Sequence, residues 1–349
     1  MKRTVALAVV SLFVALLPVS GRAEFKPEAG SIDGYMVADY FYLAQHHNEE
    51  DLEGRNGFWF RRIYFTYNNR LGENIKVRLR LEMNSPGDFS SSSLNPYVKD
   101  AYLDVKLAEG LNLIAGIQGP PALENIESVW GYRSLEKIPL DLYKWTSSRD
   151  FGLSIKGGKE FIYQVMFGQG SGNKSEADKG KKIYGMVGYK TGGFHLEVNG
   201  AYEKLKEVWT DYFLHGHASY SGKWGRVAVE YAHRQEEEKV AGGENPVYEY
   251  NILSAFVVLS ASKKLDIIAR YDLNSGDGYI NRFKGSGVDY IPFEDYFEPS
   301  LFIGAISYNV FKNVWLIPNI KYSTYRDPGD GREKPGNDLY TNLTLYFKF

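Results

Sequence analysis

Apolar and polar residues alternate one for one through most of this chain. From Ile75 to Met83, the apolar Ile75, Val77, Leu79, Leu81 and Met83 are interleaved with Lys76, Arg78, Arg80 and Glu82. A helix would scatter those charges around its circumference, whereas a strand gathers them on one face. The same period runs through 100–107, 226–231, 265–271 and 342–349. A face this charged needs water against it, and the face behind it needs an apolar surround.

The pattern predicts sixteen strands, near 31–44, 56–70, 74–85, 98–107, 111–118, 148–157, 160–168, 181–190, 193–202, 211–220, 224–234, 248–260, 264–273, 298–309, 312–325 and 337–349. Three of them, at 181–190, 248–260 and 298–309, alternate poorly, so fourteen or eighteen strands also fit. Connections leaving odd strands are long, such as 45–55, 86–97, 119–147 and 274–297, while those leaving even strands are short, such as Leu71-Gly72-Glu73 and Gly158-Lys159. Eight long connections alternating with seven short ones place every second strand end on the same side. That is the signature of an all-β, antiparallel up-and-down barrel crossing a membrane, with short turns on one side and long loops on the other. A soluble two-sheet sandwich would also alternate, but its connections would not sort by length.

The first residues carry a different signal. Lys2 and Arg3 precede an apolar run from Val5 to Val19, and Gly21-Arg22-Ala23 supplies small residues for cleavage. Residues 1–23 read as an export signal peptide, leaving 24–349 as a single barrel domain. Removing it takes away three basic residues and no acid, so the formal charge of -2 becomes more negative. Such a balance leaves no nucleic-acid footprint. The absence of cysteine excludes disulfides, cysteine-ligated metals and a cysteine nucleophile. Aromatics reach 15% although mean hydropathy is only -0.36. Rings near strand ends, including Tyr40, Tyr42, Trp59, Tyr67, Trp224, Tyr322 and Tyr325, suit the two interfaces of a membrane.

With the signal peptide and the sorted loops, the ending Tyr340-Thr-Asn-Leu-Thr-Leu-Tyr-Phe-Lys-Phe349 resembles that of Gram-negative outer-membrane porins. In that family the terminal Phe and the alternating apolar positions before it are read by the barrel-assembly machinery. Leu343, Leu345, Phe347 and Phe349 match those positions. Phe60-Arg61-Arg62-Ile63-Tyr64-Phe65, with Leu71-Gly72 and the basic strand from Lys76, is similar to the phosphate-selective O/P type, although Asp100 and Asp104 intrude on the inward face. The resemblance implies an outer-membrane homotrimer that passes small hydrophilic solutes by diffusion, without a cofactor. Its acidic outer loops, Glu49 to Glu53 and Glu236 to Glu238, would meet lipopolysaccharide through divalent ions.

The longest connection, 119–147, is the candidate constriction. Pro120-Pro121 opens a helix-capable stretch from Ala122 to Trp130, followed by apolar Leu135, Ile138, Leu140 and Leu142. It either folds into the channel or packs over the mouth or onto a neighbouring subunit. Lys76, Arg78 and Arg80 rise about 7 Å per step on one strand face. Arg62 joins them if Ile63, Phe65 and Tyr67 face lipid, and the loop contributes Arg133, Lys137 and Lys144. This set predicts preference for phosphate or other small anions. The loop acids Glu124, Glu127, Glu136 and Asp141 could instead balance it into a general pore. A barrel hydrolase is the remaining alternative, but no Gly-x-Ser-x-Gly elbow occurs. His215 and His217 share a strand face with no obvious third ligand, so no metal is expected there.

Overall fold

The structure is a computed structural model that describes residues 30–47, 52–85, 93–176, 178–205, 208–240, 243–276, 287–288, 291–294, 297–327, 329 and 331–349. The expected signal peptide, residues 1–23, lies outside these. Strands β1 (Ser31–Gln45), β2 (Asn56–Leu71), β3 (Ile75–Asn84), β4 (Asn95–Ala108) and β5 (Leu111–Gln118) precede two helices, α1 (Pro121–Trp130) and α2 (Pro139–Leu142). Then come β6 (Asp150–Gly158), β7 (Phe161–Gly168), β8 (Lys182–Thr191), β9 (Phe194–Leu205), β10 (Trp209–Gly222), β11 (Gly225–Glu238), β12 (Val247–Ser262) and β13 (Leu265–Gly276). A two-residue hairpin, β14 (Gly287–Val288) and β15 (Ile291–Pro292), leads to β16 (Pro299–Phe311), β17 (Val314–Tyr325) and β18 (Asp338–Lys348).

Every strand except β14 and β15 pairs antiparallel with its neighbours in sequence, and β1 closes the ring against β18. The result is a closed barrel of sixteen strands, as the loop alternation predicts. The alternation has its cause in the surroundings. On β9, Phe194, Leu196 and Val198 point outward, while His195, Glu197 and Asn199 point in and are buried. At the seam, Phe349 exchanges backbone hydrogen bonds with Gly34 at 3.1 and 3.2 Å. A Cβ at position 34 would lie 2.2 Å from the Tyr64 carbonyl oxygen and against the Phe349 ring, so only glycine fits there. Leu343, Leu345 and Phe349 stand exposed on the outer face.

Tyr40, Tyr42 and Trp224 are exposed on the outside, as an interfacial role requires. Two of the expected interfacial rings turn inward instead. Trp59 stands opposite inward-facing Asp39 and stacks on Phe41 with centroids 4.5 Å apart, and Tyr325 is buried against Asp338. Stacking on Phe41 holds the first ring inside, and the Asp338 carboxylate holds the second.

The connection between β5 and β6 folds into the barrel. Pro121 fixes the first turn of α1, and Gly131, at φ 68°, ends it in the left-handed conformation. A Cβ at position 131 would lie 2.7 Å from the Arg226 guanidinium, which would have to shift. The helix lies against β7, β8, β9 and β10. Leu123, Ile126, Trp130, Leu135, Ile138, Leu140 and Leu142 are all at most 1% exposed. They pack on inward-facing Ile252, Phe256 and Val258 of β12, Ile268 of β13, Leu301 and Ile303 of β16, and Ile317 of β17. Trp130 meets Phe256 edge-on at 4.9 Å. Each large apolar side chain buried here contributes roughly 1.5–3 kcal/mol.

This packing explains the three strands that alternate poorly. On β12, β16 and β8, the outward face meets lipid and the inward face meets the loop. Leu253, Ala255 and Val257 lie behind Ile252, Phe256 and Val258, and Phe302 and Ile306 lie behind Leu301, Ile303 and Ala305. Tyr184 plays the same part on β8. Two apolar faces give no alternation.

Candidate selectivity site

Among the described residues, three cavities follow the inner wall from β2 to β8. Their lining steps down β3 from the long-loop end to the short-turn end. The uppermost, about 610 Å³, is lined by Arg62, Lys99, Arg133, Lys137, Lys144 and Lys174, with only Glu82 and Asp141 as carboxylates. The middle one, about 220 Å³, holds Arg78, Arg80, Arg149 and Lys156 against Asp100, Asp104, Glu124 and Glu127. The lowest, about 350 Å³, holds Lys76 and Lys156 against Asp104 and Glu124. The basic residues expected to act as one filter are therefore divided among three levels.

Two bulges build the upper level. The register of β1 on β2 runs from Val37↔Arg62 to Ala38↔Phe60, so Arg61 has no partner position and both arginines turn inward. On β4 the register skips Lys99, which brings Lys99 and Asp100 into the barrel together. Phe65 faces out on β2, as the expected placement of Arg62 requires, and the bulge turns Phe60 out although it shares the parity of Arg62. Simple alternation would send Arg61 and Lys99 to the lipid, so the periodicity hides them. Arg149 and Lys174, on connections, carried no signal. A charge on the lipid face costs roughly 2–4 kcal/mol, so adjacent charges in mid-strand were the available clue to a bulge.

Ion pairs divide the cations further. Glu82 takes Arg62 at 2.8 Å and Lys99 at 2.9 Å, and Asp141 takes Arg133 at 2.6 Å. No ion pair forms at Lys137, Lys144 or Lys174 among the described residues. Lys144 sits at φ 60°, a left-handed conformation uncommon outside glycine. Lys137 and Asp141 belong to the inserted loop, outside the strands. Burial pushes the Lys137 ammonium down to about 7, against the pull of Asp141. Burial also opposes ionisation of Asp141, but Arg133 and then Lys137 outweigh it and hold the carboxyl at about 2.

In the middle cavity the basic ladder is neutralised. Arg78 and Arg80 share Asp100, at 3.0 and 3.6 Å, and Arg149 binds the same carboxylate through its other oxygen. Lys156 pairs with Glu124 of α1 at 3.1 Å. Of the loop acids, Glu136 leaves the channel entirely and pairs with buried Lys321 at 3.0 Å.

Other cations hold the loop in place. Arg61 donates to the carbonyls of Ser134 and Leu135, Lys321 to Leu135 at 2.8 Å, and Arg270 to Lys137. Arg226 donates to the Trp130 carbonyl at 2.9 Å, at the negative end of α1. His215 and His217 face the lumen, where both lie against Glu230 at 3.3 and 3.6 Å.

These features, a closed sixteen-stranded barrel with a helical loop inside it and a charged wall opposite, define a porin-type barrel. No protein-family profile matches the chain, and no curated protein sequence matches it. Solved structures do. An anion-selective porin from Comamonas acidovorans superposes with a TM-score of 0.68 at 12% identity, covering 93% of this chain and 100% of that one. The outer membrane channel DcaP of Acinetobacter baumannii gives 0.64 at 12% identity, covering 95% and 99%. OmpF of Salmonella typhi, in complex with daunomycin, gives 0.63 at 13% identity, covering 92% and 97%. The chain has the fold of outer-membrane porins.

Proposed function

We propose that this protein is an outer-membrane porin through which small hydrophilic solutes diffuse, and that it prefers anions. The observation carrying the preference is the upper cavity, with six cations against two carboxylates. Anions concentrate in such a field before they reach the narrower, balanced level below. The likeness of residues 56–85 to phosphate-selective O/P porins and the anion-selective neighbour both favour this reading. The homotrimer, lipopolysaccharide contacts and recognition of Leu343, Leu345, Phe347 and Phe349 by the assembly machinery are proposed with it, from the porin likeness.

The balanced middle cavity favours a second reading, a general pore. Arg78, Arg80 and Arg149 on one side and Glu124 and Glu127 on α1 make a transverse field there without net preference. Reversal potentials in planar bilayers under a potassium chloride gradient decide between them. A potential of the sign for chloride preference supports the anion reading, and cation preference or none overturns it. Liposome swelling with small neutral sugars tests the channel itself, and absence of swelling overturns it.

A further inference from the structure

Away from the channel wall, where β1 runs out of the barrel seam, two histidines stand side by side. His46 and His47 follow the last residue of β1, and their rings lie 4.1 Å apart at 30°. Across the seam is Asp338, the first residue of β18 and fully buried. Its Oδ1 accepts the backbone N–H of His47 at 2.9 Å and lies 3.0 Å from His47 Nδ1. The Tyr325 hydroxyl donates to Oδ2, which lies 3.2 Å from His47 Nδ1, so both carboxylate oxygens reach the histidine. One donor atom from each of His46, His47 and Asp338 lies within 4.8 Å of the others.

We propose that His46, His47 and Asp338 bind a transition-metal dication of the zinc type, clasping the barrel seam at its long-loop end. Two ligands of a tetrahedral zinc ion with bonds of 2.0–2.1 Å are about 3.3 Å apart, close to the observed separation of His47 Nδ1 and Asp338 Oδ1. Two imidazoles with one carboxylate suit zinc, nickel or copper, whereas calcium and magnesium want oxygen ligands. The outer shell is present as well. His47 Nε2 lies 3.1 Å from Glu294 Oε2. With Nδ1 on the metal, Nε2–H donates to that carboxylate, which orients the ring and raises its basicity. Asp338 and Glu294 bring two negative charges to a dication. The bound ion would tie the end of β1 to the start of β18 and to the segment between β15 and β16.

The test uses the whole folded protein in detergent, stripped with a chelator and then dialysed against micromolar zinc. Folding of each variant is checked by its heat-dependent migration in gels. The expected result is one zinc per chain, with cobalt giving the intense visible absorption of a tetrahedral site. Uptake is lost in His46→Gln and Asp338→Asn and unchanged in His217→Gln, whose ring lies in the lumen. Glu294→Gln alters a partly exposed loop side chain and is expected to weaken binding by about 10–100-fold. That variant decides the matter if the other two fail to fold. No uptake by the wild type, uptake that survives His46→Gln, uptake lost in His217→Gln, or undiminished affinity in Glu294→Gln each overturns the site.

Discussion

On β3 the inward positions are Lys76, Arg78, Arg80 and Glu82, whereas on β16 they are Leu301, Ile303 and Ala305. Both strands belong to one barrel and share its pleat, yet one wall is wet and the other dry. The inserted loop makes the difference, because it packs on the inner face of β12 to β17 and leaves cavities along β2 to β8. Cations differ accordingly. Arg226, Arg270 and Lys321 serve the dry side by capping loop carbonyls. Lys137, Lys144 and Lys174 face the cavity on the wet side. A basic residue inside a porin-type barrel is therefore not evidence of a filter until its partner is known.

The sharpest way to break this contrast is on the dry side. Lys321→Met strands the buried Glu136 carboxylate and should cost about 3–5 kcal/mol, read by denaturant unfolding, with noisier and larger single-channel conductance as the loop loosens. Adding Glu136→Leu should recover most of that loss. A double variant no more stable than the single one would show that the pair does not hold the loop.

On the wet side, Lys137→Gln with Lys144→Gly and Lys174→Gln should remove most of the anion preference while leaving stability nearly unchanged. Glycine at 144 suits the left-handed backbone. Reversal potential is the readout, and an unshifted value would take the preference away from the upper cavity. A smaller shift is expected from Arg78→Gln with Arg80→Gln, because four carboxylates already balance the four cations of the middle cavity. If this pair shifts selectivity more than the lysines do, the narrow level is the filter.

The smallest effect is on pH. Lys137 is charged below about 7 and neutral above it, so anion preference should decline between pH 6 and pH 8 and be flat in Lys137→Met. A slope that persists in that variant belongs to another group.

The strands were legible in the sequence because lipid and water impose opposite demands at every second residue. Even the failures were informative, since 181–190, 248–260 and 298–309 lost their alternation where the loop replaced water. The helix at Pro121 was legible from its prolines and apolar spacing. Arg61 and Lys99 were not, because a bulge inverts the parity on which the reading rests. The division of one basic ladder into three levels was hidden too, since Asp100 is far from Arg78 in sequence and meets it only across β3 and β4.

The sequence by itself determined the barrel and the chemistry available to its lumen, because these follow from local periodicity and loop length, while the closed ring of β1 on β18 fixed the strand count at sixteen. Tertiary structure decided which side of the lumen stays open and which cations keep a free charge. It also brought His46 and His47 to Asp338 across the closing seam. Those outcomes depend on contacts between residues distant in the chain, where burial and pairing, rather than residue type, fix what a charge can do.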